Sequence, residues 1–222
     1  VPDDDSLTKF GQRLTCDHMF NTKQPHDEFF EETMKNGLAT LDEYTGWLDC
    51  FPNAFKNATK TKEALNTWVG SDEKADSIYS DNTPELAKAV KELGWRHSTS
   101  TPGRPQTNGV AERSVRTIKE GTRCNLVQSG LSRRKWWGYA SKHHCFARNI
   151  NDDSGDSAYS RRHLELFKDL VIPFGAMVDY MPTPLPDQQQ GSVEEKTKIG
   201  LFAGYHLLPG GKRHGDYIVA DI

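Results

Sequence analysis

The sequence has few cysteines, and none of them is spaced for a metal site. The four cysteines are Cys16, Cys50, Cys124 and Cys145. No two of them form a C-x-x-C pair, and the neighbouring His143 and His144 would point to different sides of a helix. The sequence therefore gives no framework for a zinc finger or ribbon and favours reduced, buried thiols.

Long hydrophobic runs and a leader sequence are also missing. No run approaches the roughly 18 apolar residues of a membrane span. The N-terminal VPDDDSLTKF lacks the basic and apolar regions of a signal peptide, so we expect a soluble, intracellular protein with no membrane partner. Because the chain begins with Val1 and stops within the strand-like YIVADI, we expect it to be a piece of a longer reading frame or polyprotein.

The chain as a whole has no excess of positive charge, but its middle segment does. The formal net charge is -3. Residues 81–150 nevertheless carry 13 basic and 5 acidic side chains, against 8 and 15 in residues 1–80 and 7 and 11 in residues 151–222. A basic segment of this kind is the footprint expected of a phosphate-binding surface.

The hydrophobic periodicity predicts an α/β protein with a mixed sheet. Three strands come first, helices and strands then alternate, and two long helices follow. The predicted strands are 10–20, 38–41, 47–51, 77–80 and 95–101, and the predicted helices are 59–70, 83–94, 109–128 and 133–150.

The same sequence pattern predicts four parts of the chain. Residues 1–9 are an N-terminal extension and residues 10–150 form the main domain. Residues 151–170 are a polar linker, and residues 171–222 form a small β-rich C-terminal module that is cut short. The expected architecture is therefore a mixed five-stranded sheet flanked by helices, followed by this module.

Three acids occupy positions that such a sheet can bring to one edge. Asp17 lies inside the first strand, Asp81 ends the strand IYS, and Glu112 opens a long basic helix. Two Mg²⁺ ions held by carboxylates can activate an attacking oxygen and stabilise a leaving one during phosphoryl transfer. Three acids without histidine or thiol favour Mg²⁺ or Mn²⁺ over Zn²⁺.

Each acid also has a purely structural interpretation. Asp81 or Thr83 in the stretch SDNTP is suited to cap the following helix. Asp17 would serve equally well as an ordinary acid on an edge strand, and Glu112 as one charge on a solvated helix face.

The helix that begins near residue 109 is predicted to be amphipathic. A helical wheel places Arg116, Lys119 and Arg123 within about 40° of Glu112. The adjoining apolar face comprises Ala111, Val115, Ile118, Thr122 and Leu126. The helix would thus bury one side and present a carboxylate with a basic stripe on the other.

Taken together, the chain resembles the catalytic core of retroviral and retrotransposon integrases, which carry a D,D,E triad on a ribonuclease-H-like fold. The resemblance is carried by TCDHMF around Asp17, IYSDN around Asp81 and STPGRPQTNGVAERSVRTIKEG around Glu112. It extends to LDEYTGWLDCFP and KWWGYASKHHCFARN, and the tail FGAMVDY with GLFAGY is similar to copia-type elements.

This resemblance implies an activity and a set of site residues. The family trims the element's DNA ends with water and then joins the new 3′-hydroxyl to target DNA, with the triad holding two Mg²⁺ or Mn²⁺ ions. It further implies a homo-oligomer that acts in the host nucleus after a cytoplasmic particle stage. The implied DNA contacts are Arg104, Gln106, Asn108, Arg113, Arg116, Lys119 and Arg123.

Two departures from the family pattern and two other functions stay open. Only 30 residues separate Asp81 from Glu112, where about 35 are common, and the zinc module that precedes the family's core is absent. The alternatives are a non-catalytic DNA-binding or assembly protein from a decayed or domesticated element, and a ribonuclease-H-like nuclease. For Trp136 and Trp137, core packing or a subunit contact is favoured over base stacking.

Overall fold

A computed structural model describes residues 7–20, 34–71, 73–99, 109–151, 155–182 and 197–222. Within these ranges the chain forms a five-stranded sheet, a three-stranded sheet and five helices. The strands are β1 (Leu14–Phe20), β2 (Asn36–Asp42), β3 (Leu48–Asn53), β4 (Ser77–Ser80), β5 (Arg96–Thr99), β6 (Met177–Tyr180), β7 (Lys198–Leu207) and β8 (Arg213–Asp221). The helices are α1 (Ala58–Val69), α2 (Pro84–Leu93), α3 (Gly109–Ser129), α4 (Arg133–Ile150) and α5 (Ala158–His163).

The larger sheet has the mixed character that the sequence predicts. Its order is β3-β2-β1-β4-β5, with antiparallel pairing among the first three strands and parallel pairing from β1 to β4 and from β4 to β5. The first three strands are consecutive in the sequence and pair antiparallel, whereas α1 and α2 provide the crossovers that parallel neighbours require.

The helix boundaries follow local sequence signals. Asn57 caps α1, because its side chain accepts a hydrogen bond of 2.9 Å from the Lys60 backbone N–H. Pro84 opens α2, and Gly94 ends it in a left-handed conformation with φ of 73°. The positions of both helices were predictable for this reason.

The two faces of the sheet carry different halves of the core. Leu14 and Cys16 of β1 pack with Leu65 of α1 in one cluster, while Met19 of β1 packs with Ile118 of α3 in another. Side chains of opposite parity on β1 therefore face opposite helical layers.

The first strand is shorter than predicted. Gly11 adopts a φ of 83°, and its backbone N–H donates to the Asp42 carboxylate at 3.0 Å. This turn conformation, which favours glycine, interrupts the extended chain, so β1 begins at Leu14 rather than at residue 10.

Part of the predicted linker 151–170 is helical. The Ser157 hydroxyl caps α5 by accepting a hydrogen bond of 3.0 Å from the Ser160 N–H, and Tyr159 is buried against Trp47. A six-residue helix that buries only Ala158 and Tyr159 has too little periodicity to be recognised in a polar sequence.

The C-terminal sheet β6-β7-β8 shares a core with the main sheet. The Tyr205 ring lies 4.7 Å from that of Phe146 on α4, and Phe202 is almost fully buried in the same cluster. The Tyr205 hydroxyl donates to the Leu170 carbonyl at 3.0 Å. In the part of the chain that the structure describes, no helix is long and apolar enough to cross a membrane.

Candidate active site

Asp17 lies in the middle of β1, on the side that faces α3. It has the same strand parity as Met19, which packs against α3, and its side chain is half-buried. Arg13 and Thr15 have this parity too, and both contact the Glu43 carboxylate, at 2.6 and 2.5 Å. The predicted alternation of polar side chains along β1 is therefore present.

Asp81 directly follows β4, the parallel neighbour of β1. The pairing of Thr15 with Tyr79 sets the register between the two strands. Asp17 and Asp81 each lie two residues beyond this pair, and the negative charge of Asp81 acts on Asp17. The strand order thus brings together two acids that are 64 positions apart in the sequence.

The structure gives Asp81 a different local role from a helix cap. Thr83 occupies the N-cap position of α2 but makes no capping hydrogen bond with its side chain. Its hydroxyl instead donates to the Asp81 carboxylate at 3.2 Å. This bond fixes one carboxylate oxygen and leaves the other for a further partner.

Glu112 lies in the first turn of α3 and is exposed. Ala111 and Ser114 on either side of it are buried and fix the rotation of the helix. A carboxylate in the first turn is also stabilised by the positive end of the helix dipole. The residue is thereby held at the end of α3 that follows the connection from β5.

The three carboxylates influence one another electrostatically. Burial and, to a lesser extent, the negative charges of Asp81 and Glu112 raise the pKa of Asp17 to about 6, although a hydrogen bond from the His18 backbone and the charge of Lys56 oppose the rise. Like charges of this kind disfavour ionisation, and a divalent cation relieves such repulsion. Oxygen donors in this number are the ligands that Mg²⁺ and Mn²⁺ prefer.

The carboxylates do not, however, form a closed metal cage. Among the described residues, no group of three His, Cys, Asp or Glu side chains is compact enough to hold an ion. Asp17 and Asp81 are therefore the pair that adjacent strands bring together, and Glu112 acts on Asp17 from the neighbouring helix.

Lys56 is a site residue that the sequence did not reveal. β3 ends at the same edge of the sheet as β1, because Phe20 pairs with Asn36 and Asn36 with Asn53. Lys56 follows that edge, where its ammonium group lies 5.7 Å from the Phe20 ring centroid. Its charge acts on Asp17, but nothing in the stretch NAFKNATKT indicates this position.

The basic face of α3 is solvent-accessible, as the helical wheel predicts. Arg113, Arg116, Lys119 and Arg123 are exposed, whereas Ile118 on the opposite face is fully buried. The apolar face differs in one detail, since Ser114 is buried and Val115 is only partly so. The other proposed DNA contacts, Arg104, Gln106 and Asn108, lie outside the described residues.

A groove of about 760 Å³ continues this basic face toward the end of β1. Lys119, Arg123 and Arg133 line it together with Phe20, which is 52% exposed. Trp137 forms part of its floor, is 3% exposed and donates its indole N–H to the Met34 carbonyl at 2.5 Å. The predicted packing role of Trp137 is thus present in the structure.

Comparison with known proteins gives one sequence relative and several structural ones. Over 150 residues the chain is 45% identical to the retrovirus-related Pol polyprotein from transposon TNT 1-94 of Nicotiana tabacum. The match covers 60% of this chain but only 10% of that polyprotein. No protein-family model matches the chain.

The structural relatives are integrase assemblies and cores. A chain of the simian T-cell lymphotropic virus intasome in complex with PP2A regulatory subunit B56 gamma matches 96% of this chain and 77% of its own length, with a TM-score of 0.55 and 14% identity. The HTLV-2 integrase catalytic core domain in complex with magnesium, in its trimeric form, matches 70% of this chain and 98% of its own length, with a TM-score of 0.50 and 15% identity. The predicted fold class and the resemblance to an integrase core are both confirmed.

Proposed function

We propose that this integrase-like chain is the catalytic core of a copia-type retrotransposon integrase, which trims the DNA ends of its element and joins them to target DNA. The observation that carries the proposal is that Asp81, which follows the strand parallel to β1, and Glu112 both lie near enough to Asp17 to raise its pKa, in addition to the effect of burial. Sequence identity of 45% to a retrovirus-related Pol polyprotein supports the same assignment.

Asp17, Asp81 and Glu112 would hold the divalent cations in this proposal, two Mg²⁺ or Mn²⁺ ions. When bound, such ions supply activation of the attacking oxygen and stabilisation of the leaving oxygen at phosphorus. The raised pKa of Asp17 fits this role, because acids that repel one another in the free protein gain most from a shared cation.

The remaining steps fall to side chains of this chain. Arg116, Lys119 and Arg123 lie exposed along α3 and would bind phosphates on either side of the scissile bond. Arg113, next to Glu112, would position the reacting phosphate. Thr83 keeps the Asp81 carboxylate in one orientation through its 3.2 Å hydrogen bond. Lys56 limits the accumulation of negative charge around Asp17.

The proposed partners are the element's DNA ends, target DNA and further copies of the chain. The intasome and the trimeric core among the structural relatives support an oligomer. The proposed location is the host nucleus, after a stage in a cytoplasmic particle. The chain spans about a tenth of its curated relative, so the activity of the complete protein is part of this proposal.

A non-catalytic DNA-binding or assembly protein is the second candidate, and one observation favours it. The described residues contain no compact group of three metal-binding side chains. A protein whose triad no longer binds metal would show the same feature. A ribonuclease-H-like nuclease on the same fold is the third candidate. The exposed basic face of α3 next to Glu112 fits duplex ends and target DNA as well as it fits the substrate of such a nuclease, so it does not favour this candidate over the first.

Strand transfer in vitro separates the candidates. The purified chain is incubated with Mg²⁺ or Mn²⁺, a short duplex that carries the element's terminal sequence, and a plasmid. The proposal expects metal-dependent joined products, with losses of at least about 100-fold in Glu112→Gln and none in Glu120→Gln, an equally exposed acid on the same helix. Retained joining in Glu112→Gln would refute the assignment, and cleavage of RNA–DNA hybrids alone would favour the nuclease.

A further inference from the structure

A second polar cavity lies away from the acidic edge of the sheet. It has a volume of about 200 Å³ and lies between the end of α1, helix α5 and the loop that joins β7 to β8. Glu73, which helps to line it, precedes β4, whereas Asp81 follows β4. The cavity therefore lies at the opposite end of that strand from the proposed catalytic acids.

Arg162 is the central residue of this cavity, and backbone carbonyls fix its guanidinium. Its Nε donates to the Gly210 carbonyl at 2.7 Å, and its Nη2 donates to the carbonyls of Trp68 and Val69 at 3.2 and 3.1 Å. The group also lies 3.3 Å above the Phe10 ring centroid. These contacts define its orientation.

One nitrogen of the guanidinium is left without a hydrogen-bond partner. Nη1 of Arg162 is buried, in a side chain that is only 3% exposed, and it makes no hydrogen bond. It forms an ion pair with the Glu73 carboxylate, but the separation of 3.8 Å is beyond hydrogen-bonding distance. Burial lowers the pKa of Arg162 to about 10, so the group still carries its charge at neutral pH. The negative charges of Glu73, Asp42 and Asp49 offset part of the effect of burial. The unmade hydrogen bond of Nη1 remains costly, and the oxygen of an anion would accept it.

The other groups at the cavity also suit an anion. Lys212 lines it and is exposed, so its ammonium group is able to turn inward. His163 is kept neutral there, because burial and the charges of Arg162 and Lys212 lower its pKa to about 4. Glu73 is the one acid among the described lining residues, and its side chain is 59% exposed.

We propose that this cavity binds a phosphate group, which replaces the Glu73 carboxylate beside Arg162. The phosphate oxygens would accept hydrogen bonds from Arg162 Nη1 and Lys212 Nζ, since guanidinium and ammonium groups are the usual phosphate ligands. Gly210 also donates its N–H to the Thr67 carbonyl at 2.8 Å, so occupation of the cavity would tie α1, α5 and the C-terminal sheet together. Free phosphate and a DNA backbone phosphate share this chemistry.

Inorganic phosphate is the first probe. The intact chain is titrated with phosphate at constant ionic strength, without divalent metal, and its thermal unfolding is followed. We expect a saturable rise in Tm, a Kd about tenfold weaker in Lys212→Gln, and a Kd several-fold tighter in Glu73→Gln. Lys198→Gln, which removes an equally exposed lysine from β7, is the matched control and should titrate like the unmodified chain.

A duplex of arbitrary sequence is the second probe and separates the two sources. If the cavity takes a backbone phosphate, Lys212→Gln also lowers the salt dependence of DNA binding by about one phosphate contact. If it takes free phosphate, DNA binding is unchanged while the phosphate titration is weakened. The proposal is overturned if phosphate gives no saturable effect beyond matched chloride and Lys212→Gln leaves DNA binding unchanged, or if Lys212→Gln and Glu73→Gln both titrate like the unmodified chain.

Discussion

Asp81, directly after β4, lies close enough to Asp17 on the parallel neighbour β1 for its negative charge to raise the pKa of Asp17. The register that pairs Thr15 with Tyr79 places them there, and no contact between the two acids themselves is needed to hold the arrangement. The half-buried Asp17 carboxylate destabilises the metal-free protein, because burial and the negative charge of Asp81 both disfavour its ionised form. The proposed active site is therefore a local cost to stability that a bound cation would remove.

Asp17→Asn should stabilise the metal-free protein above pH 6. The pKa of Asp17 rises from 3.8 to about 6 on folding, so the folded chain holds this proton more tightly than the unfolded chain. The destabilising effect therefore develops as the pH rises from about 4 to 6. With allowance for partial exposure, we expect a gain of about 1–2 kcal/mol in the free energy of unfolding, measured by urea denaturation at pH 7.

The control for this experiment is Asp76→Asn, which removes an exposed acid that precedes β4. It should leave the difference in the free energy of unfolding between pH 4 and pH 7 unchanged. Mg²⁺ should raise the Tm of the unmodified chain but not that of Asp17→Asn. Equal stability of Asp17→Asn and the unmodified chain at pH 7 would show that burial and the neighbouring charges do not disfavour the ionised form of Asp17.

Lys119→Gln should weaken DNA binding and make it less dependent on salt concentration. The residue is exposed on α3 and lines the groove that continues toward β1, so it is placed to contact a phosphate. Loss of one phosphate contact lowers the slope of log K against log salt by about one. Fluorescence anisotropy with a labelled duplex at several salt concentrations measures this slope.

Lys88→Gln removes an exposed lysine from α2 and serves as the comparison. It should change neither the slope nor the affinity at a given salt concentration. If the two variants behave alike, the positive charge of α3 acts only as a diffuse field and not through direct contacts.

Phe202→Ala should destabilise the whole chain and not only its C-terminal sheet. Phe202 is 1% exposed and packs in one cluster with Trp47 and Phe146 of the main domain. Removal of a buried phenyl ring typically costs about 3–5 kcal/mol. Guanidinium denaturation followed by tryptophan fluorescence and by circular dichroism should give coincident transitions, shifted to lower denaturant concentration.

Ile199→Ala on the same strand provides the contrast, because Ile199 is 53% exposed. We expect this variant to change the midpoint only slightly. Two separate transitions in the unmodified chain, with only one of them sensitive to Phe202→Ala, would instead show that residues 171–222 unfold as an independent module.

Much of the fold was predictable because its signals are local. Strand β4 and helix α4 lie where periodicity places them, since β4 is a short apolar run between turns and α4 repeats its buried residues at helical spacing. Helix α5 was missed, because six residues with two buried side chains give no period. The joint core of the two sheets was missed as well, since contacts between Tyr205 and Phe146 depend on long-range packing.

The same distinction applies to the sites. The proximity of Asp17 and Asp81 was predictable, because an acid inside one strand and an acid that directly follows a neighbouring strand can meet whatever the details of packing. Lys56 and Arg162 were not, since the first depends on where β3 ends and the second on backbone carbonyls of two separate segments, the end of α1 and the loop between β7 and β8. Their neighbourhoods exist only after folding.

The most direct test of the central claim is a crystal structure of the chain grown with Mn²⁺ and measured near the manganese absorption edge. We predict an anomalous peak between β1 and β4, with carboxylate oxygens of Asp17 and Asp81 at roughly 2.1–2.2 Å from the ion and the Glu112 carboxylate at the same centre. A well-ordered Asp17 and Asp81 with no peak between them, at Mn²⁺ concentrations that support joining of DNA ends, would contradict the account.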